Sequence, residues 1–263
     1  MTTIWIAIFA ACFIWWFSTG AILYVVQVAD RGGDFAHLNV TIATAPFLLI
    51  AIYGSVSANQ VLDILSVYLA FMSAIIIWGW FELAFLCGVI TGPKPEPCPP
   101  TATGFERFLR GWGAVAYSEM CLLSIAVLLI FVTQDAPNKF GMWTFMILLL
   151  ARVSAKLNLY MGVPHINTEF LPRPVRHLAS HFKTAKMNWL FPVSITALAG
   201  TLALWVERVP NAATEAAQVG YTLLATLTAL ALFEHWMMVL RVPDAKLWQW
   251  MLPNNKATGH QND

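Results

Sequence analysis

Glu82, Glu119, Arg152, Lys156, Glu234 and His235 each lie inside a long apolar run of the chain. Ionisable groups within a bilayer are costly, face the interior of a helical bundle and pair with one another. Arg152 and Lys156 are spaced so that one helical face carries both cations. Counted from the ends of their apolar runs, Glu82, Glu119, Arg152 and Glu234 lie roughly 9–14 Å inside the same boundary, at about 1.5 Å per residue. Matched depth predicts one buried polar cluster. Two roles fit it. The charges can pair simply to hold helices together, with Lys156 snorkelling to the interface, or they can line a polar pocket for a headgroup, a pigment or a partner helix. A proton or ion path is disfavoured, because no matching acids occupy the opposite half.

The histidines and cysteines point away from metal and nucleophilic chemistry. His177 and His181 in "HLASH" would share one face of an α-helix, but a metal site needs further ligands, and no acid stands between them. His165 could join only through tertiary folding. His235 is placed by depth to ligate a chlorophyll magnesium, although an interhelical hydrogen bond is the simpler expectation. Cys12, Cys87, Cys98 and Cys121 form no CxxC pair, which argues against a zinc or redox site. There is no GxSxG, P-loop or GxGxxG string, and the last apolar run has no lysine to form a retinal Schiff base. The expectation is a protein without enzymatic activity and without a metal.

The elements that must carry these residues are membrane helices. Of 263 residues, 59% are hydrophobic and 11% charged, against about 25% charged in soluble domains. Mean hydropathy is +0.66. Apolar runs near 20 residues recur, and nothing resembles the short alternating segments of a β-barrel. The net charge of +1 gives no reason to expect nucleic acid as a partner. The fold expected is an all-α, polytopic membrane bundle with spans near 3–27, 40–59, 61–90, 111–133, 140–161, 188–207 and 217–240. The second span is the weakest, since it contains Pro46. The N-terminal run lacks a basic n-region and is too long for a signal peptide, so it reads as a retained span. Six tryptophans, among them Trp5, Trp143 and Trp189, fall near span ends as an aromatic belt. Trp15, Trp16, Trp78, Trp80 and Trp236 fall deeper, where they could stack on a tetrapyrrole or face lipid.

Seven spans place the first, third and fifth loops beside the C-terminus. These segments hold Arg31; Lys94, Arg107 and Arg110; Arg173, Arg176, Lys183 and Lys186; and Arg241, Lys246 and Lys256. The other side holds only Lys139 and Arg208. The positive-inside rule then predicts the N-terminus outside and the C-terminus in the cytoplasm. The organisation is a single integral membrane domain over 1–263, with a proline-rich cytoplasmic loop at 91–110, a basic loop at 162–187 and a tail at 241–263. "RPVRHLASHFKTAK" in the basic loop is expected to form a surface helix.

The string "AKLNLYMGVPHINTEFLP", followed by "MNWLFP", is the most distinctive in the chain. It resembles the signature of the PuhE-type photosynthetic complex assembly proteins of purple phototrophic bacteria, whose pattern runs AKLN, GVP, N-x-EFLP and MN-x-LFP. The matching positions include Lys156, Asn158, Gly162, Pro164, Asn167, Glu169, Phe170, Pro172, Asn188 and Pro192; His165 departs from the usual Asn. The resemblance implies an inner-membrane factor that helps build the reaction centre and light-harvesting antenna. It implies reaction-centre or antenna subunits as partners, and bacteriochlorophyll as the candidate pigment. Asn158, Gly162, Pro164, Asn167, Glu169, Phe170, Pro172, Arg173 and Arg176 are the expected partner surface. The competing expectation is a membrane enzyme or pigment-handling protein of tetrapyrrole metabolism that uses the charged cluster.

Overall fold

The computed structural model describes residues 2–166, 168 and 171–240. It is all-helical: α1 Thr2–Asp30, α2 Ala36–Ala58, α3 Ile64–Leu86, α4 Gly104–Val132, α5 Phe140–Met161, α6 Leu190–Arg208 and α7 Glu215–Met237, with a 3-10 helix at Arg173–His181 between α5 and α6. All seven α-helices are long and apolar enough to cross a membrane. The chain is therefore a multi-pass membrane protein.

The helix ends follow local chemistry. Asp63 caps α3, accepting from the Ser66 N–H at 2.7 Å; that bond holds its carboxyl below the usual value. α3 stops at Leu86, short of the expected 90, and Gly88 follows in the left-handed region. α4 starts at Gly104, well before the expected 111, because its polar first turns are stabilised by the Glu106–Arg110 pair (2.9 Å, one turn apart). Pro46 leaves α2 continuous as one helix, as membrane helices tolerate.

α3, α5 and α7 pack on one another and form the inner part of the bundle, with α1 against α3 and α7, α2 against α3, α4 against α5, and α6 against α7. Lipid offers no hydrophobic gain for helix association, so close packing must supply it. Small residues accordingly mark the crossings. Ala7 and Ala11 of α1 are fully buried. A Cβ on Gly141 would meet the Ala70 carbonyl at 3.0 Å, and one on Gly220 would collide with the Phe140 ring. The residues between them form the main core, with Phe71, Leu223, Leu224 and Leu227. A second core joins α2, α3, α4 and α5 around Leu122, Phe145 and Leu149. The outer surfaces are apolar, as on α1, where Phe9, Phe13, Trp16 and Phe17 are exposed and the two Phe rings at 13 and 17 stack.

The two ends differ. At one, short loops meet: Thr3 donates to Glu215 at 2.8 Å, and the Asn138 amide donates to the Ala58 carbonyl at 2.9 Å. At the other, the three basic loops interlock. The Arg173 N–H donates to the Asp30 carboxylate, and the Cys98 N–H to Ser180 Oγ at 2.8 Å.

Candidate functional site

α5 carries Arg152 and Lys156 on the face it turns toward α3 and α4. Arg152 Nη1 pairs with Glu82 of α3, its Nε donates to Glu119 Oε1 of α4 at 3.2 Å, and its Nη2 donates to Ser118 Oγ at 3.2 Å. Lys156 Nζ donates to the same Glu119 oxygen at 2.6 Å. Both cations lie over the Phe85 ring, at 4.9 Å and 4.1 Å from its centroid. Arg152 and Glu119 are buried, while Lys156 reaches toward the rim. Two cations meet two carboxylates, so the cluster is self-neutralising. That match is what makes it tolerable in a low-dielectric interior. Glu119 takes both bonds on Oε1, and its Oε2 is buried without a partner among the described residues.

Glu234 does not join. It is exposed on α7, one turn from Met237, with no ion pair or hydrogen bond among the described residues. Successive helix positions point about 100° apart. Here His235 turns inward and Glu234 outward. His235 is 2% exposed and belongs to a separate contact. Its Nδ1 bonds the Ala231 carbonyl at 2.8 Å and its Nε2 bonds Ser154 Oγ at 2.9 Å. The geometry fits Nδ1–H donating to the carbonyl and Nε2 accepting from the hydroxyl. Both nitrogens are engaged and the ring is enclosed, so His235 ties α5 to α7.

The loop-side end of α5 carries the rest. Asn158 is fully buried, and its Nδ2 donates to Ser154 O and Ser194 Oγ, each at 2.9 Å. Gly162 ends the helix at φ +123, where a Cβ would also meet Ala185 Cβ at 2.8 Å. Asn188 then works in two directions. Its Nδ2 donates to the carbonyls of Gly162 (2.8 Å) and Asn158 (3.3 Å), and its Oδ1 accepts from the Leu190 and Phe191 N–H groups that open α6. The separated strings of the signature are thus one contact. Val163 and Thr184 pair as an isolated parallel bridge, with Val163 N–H to Lys183 O at 3.1 Å.

The basic loop holds a helix where one is expected, but it is shorter and tighter than the 173–186 string. Within 173–186, Arg173–His181 is helical, as a 3-10 helix opened by Pro174, because the residues after it bond to the end of α5. Val175 and Leu178 are buried against Phe85 and Ala114, and His181 is buried on the same 3-10 helix. At three residues per turn, positions four apart no longer align, so His177 and His181 diverge. His181 turns inward, and its Nε2 faces the Glu96 carbonyl at 3.4 Å. Burial pushes both imidazoles below the ordinary histidine value. Arg107 clasps this end. Its Nη2 donates to the Tyr160 and His181 carbonyls at 3.0 and 2.7 Å, and its guanidinium stacks on Tyr160 at 4.1 Å. Arg173 and Arg176 are exposed, Pro164 is half-buried and Pro172 buried. Asn167, Glu169 and Phe170, expected in the partner surface, lie outside the described residues, as does the tail 241–263.

The proline-rich loop also does more than cross. The Lys94 N–H donates to Gly113 O, and the Ser118 N–H donates to Thr91 O, both at 3.0 Å. Residues 91–94 therefore lie along α4 at the level of Ser118 and Glu119. The contact needs Gly92: a Cβ there would collide with Gly113 O and sit 2.7 Å from Ala114 C. Sequence reasoning missed Gly92, Gly113, Ser118, Phe85, Ser154 and Ser194. Two glycines a fixed distance either side of a proline-rich loop were the available signal for the first pair.

Residues 1–259 of the chain match the family described as protein of unknown function DUF3623. The chain belongs to the DUF3623 family. It is also 48% identical over 254 residues, covering 97% of this chain and 93% of the relative, to a Rhodobacter capsulatus protein described as an uncharacterized 30.4 kDa protein in the puhA 5′ region. No solved structure matches significantly. In this DUF3623 chain the cluster at Arg152 and the junction at Asn188 lie within one continuous loop-capped end.

Proposed function

We propose that the protein is a non-catalytic assembly factor for a bacterial photosynthetic complex, acting in the inner membrane with its basic end in the cytoplasm. The observation that carries this reading is the 48% identical relative, described by its place in the puhA 5′ region of a purple bacterium. The resemblance of the 155–192 string to photosynthetic complex assembly proteins points the same way. The geometry supports the non-catalytic part. Arg152, Lys156, Glu82 and Glu119 neutralise one another, and both nitrogens of His235 are taken. What remains for a client is surface: the loop-capped end exposes Arg173, Arg176, Lys183 and Lys186. Reaction-centre or antenna subunits are the partners this reading names.

The deciding experiment is deletion of the gene in a phototrophic host. Assembled reaction-centre and antenna complexes should fall, seen in membrane absorption spectra, while extracted pigment keeps its normal composition. Normal complex levels in the deletion strain would overturn the reading. A pigment precursor that accumulates would favour tetrapyrrole metabolism instead.

A further inference from the structure

Glu234 is the carboxylate left over when the buried charges are paired. It stands exposed one turn inside α7, with no counter-ion among the described residues. Its surroundings follow from the path of α1. The first half of α1 contributes Ala7, Ala11, Ile14 and Trp15 to the core that holds Val219, Leu223 and Leu227 of α7. The second half packs Ile22, Val25 and Val26 against Leu83 and Cys87 and against Val40 of α2, a cluster with no α7 member among the described residues. By helical spacing, Leu223, Leu227 and Glu234 share one stripe of α7. That stripe is covered at one end of the bundle and uncovered at the other, and the carboxylate occupies the uncovered part.

We propose that this opening receives a transmembrane helix of a partner protein, with a lysine or arginine of that helix as the counter-ion of Glu234. The inference rests on the assembly reading and adds the site and the partner's chemistry. Charge complementarity selects the occupant. An ionised carboxylate on a span is stabilised by a cation at its own depth. Membrane spans carry excess lysine and arginine at their cytoplasmic flanks, and the charge bias of this chain puts Glu234 at that end. Phe233 and Trp236, 52% and 40% exposed, flank the carboxylate on α7.

The test uses the full chain in phototrophic membranes, with photoreactive benzoylphenylalanine at Leu230, one turn from Glu234, and at lipid-facing Ile50 as control. Light should yield an adduct from position 230, absent from position 50, whose crosslinked span carries a lysine or arginine at the same end. Adduct per chain should fall at least fivefold in Glu234→Gln and in Glu234→Lys. It should return when Glu234→Lys is combined with replacement of the partner's cation by glutamate. Adducts to lipid only, adducts to residues 241–263 of the same chain, or a yield indifferent to Glu234→Gln would each overturn the proposal. The two readings fail separately. A charge-dependent adduct in a host whose deletion strain builds normal complexes supports docking and removes the assembly role. A deletion defect with an indifferent yield removes the docking site and leaves the role standing.

Discussion

Asn188 closes the end of α5 on the carbonyl of Asn158, 3.3 Å away, while its own Oδ1 caps the first N–H groups of α6. One side chain thus satisfies orphan groups at two helix termini, which otherwise face a poorly hydrated corner. Removing it should cost more than an ordinary cap, which is worth about 1 kcal/mol. Asn188→Ala is expected to lower stability in detergent by about 2 kcal/mol, from the cap plus the donors lost to Asn158 and Gly162. Asn188→Asp keeps the accepting oxygen and should recover roughly half of that loss. Equal losses for the two variants, in denaturant titrations, would show that the cap contributes nothing.

Arg152 bridges carboxylates on two other helices, so its removal should do more harm than removal of either partner. Arg152→Met leaves Glu82 and Glu119 with Lys156 alone. Stranding a buried charge costs about 3–5 kcal/mol in soluble cores, and polar ties in membrane proteins are worth about 0.6–2 kcal/mol. We expect a loss of about 2–3 kcal/mol for Arg152→Met. The triple variant Arg152→Met, Glu82→Gln, Glu119→Gln should regain part of it. The readout is unfolding in mixed micelles. A single variant as stable as the parent would sink the structural reading of the cluster.

Much of this was legible in the sequence, and the misses share a cause. Hydropathy locates spans, and it placed α5 at its true boundaries because Gly162 and Pro164 punctuate the end. It placed Arg152, Glu82 and Glu119 together because depth along a helix is set by residue count. It carries no azimuth, so Glu234 was grouped with the cluster although it turns outward beside His235. It likewise stopped short of the first turns of α4, where "FERFLRG" is charged yet helical through the Glu106–Arg110 pair. The surface helix is shorter and tighter than its sequence suggests, for a tertiary reason. "RPVRHLASHFKTAK" has the composition of a surface α-helix, but backbone bonds from Lys183 and Ala185 to the end of α5 leave room only for the short, tight form.

Gly92 rests against the α4 backbone where Ser118 reaches the arginine. Gly92→Ala must push residues 91–94 away from α4, breaking the bonds from Lys94 to Gly113 and from Ser118 to Thr91. Overpacking of this kind costs about 1–3 kcal/mol. The expected sign is faster proteolysis within residues 93–103 with the helical circular dichroism retained. Unchanged cleavage would mean the loop does not dock in the membrane.

The topology is open to a direct chemical test through Cys98, which lies half-buried in the proline-rich loop of the basic end. Its backbone N–H is held by Ser180, so it reports on the same loop-capped face as the 3-10 helix. In a chain retaining Cys98 alone, an impermeant maleimide should label inverted vesicles and spare intact spheroplasts. The opposite pattern would invert the orientation and move Glu234 and the arginine cluster to the outer half.

His181 and His177 should make the loop-capped end sensitive to acid. Burial lowers the pKa of both imidazoles in the fold, below the ordinary value of about 6.5 that they regain on unfolding. Below that value the unfolded chain binds protons that the native chain refuses, so stability falls as pH drops and is flat above it. The neighbouring Arg107 and Arg110 push His181 in the same direction. Between about pH 6.5 and 5 the melting temperature of the purified protein should decline, and trypsin should cut faster at Lys183 and Lys186. His181→Gln, which keeps a donor toward the Glu96 carbonyl but does not titrate, should flatten most of that slope. A slope as steep in His181→Gln as in the parent would place the acid sensitivity elsewhere in the bundle.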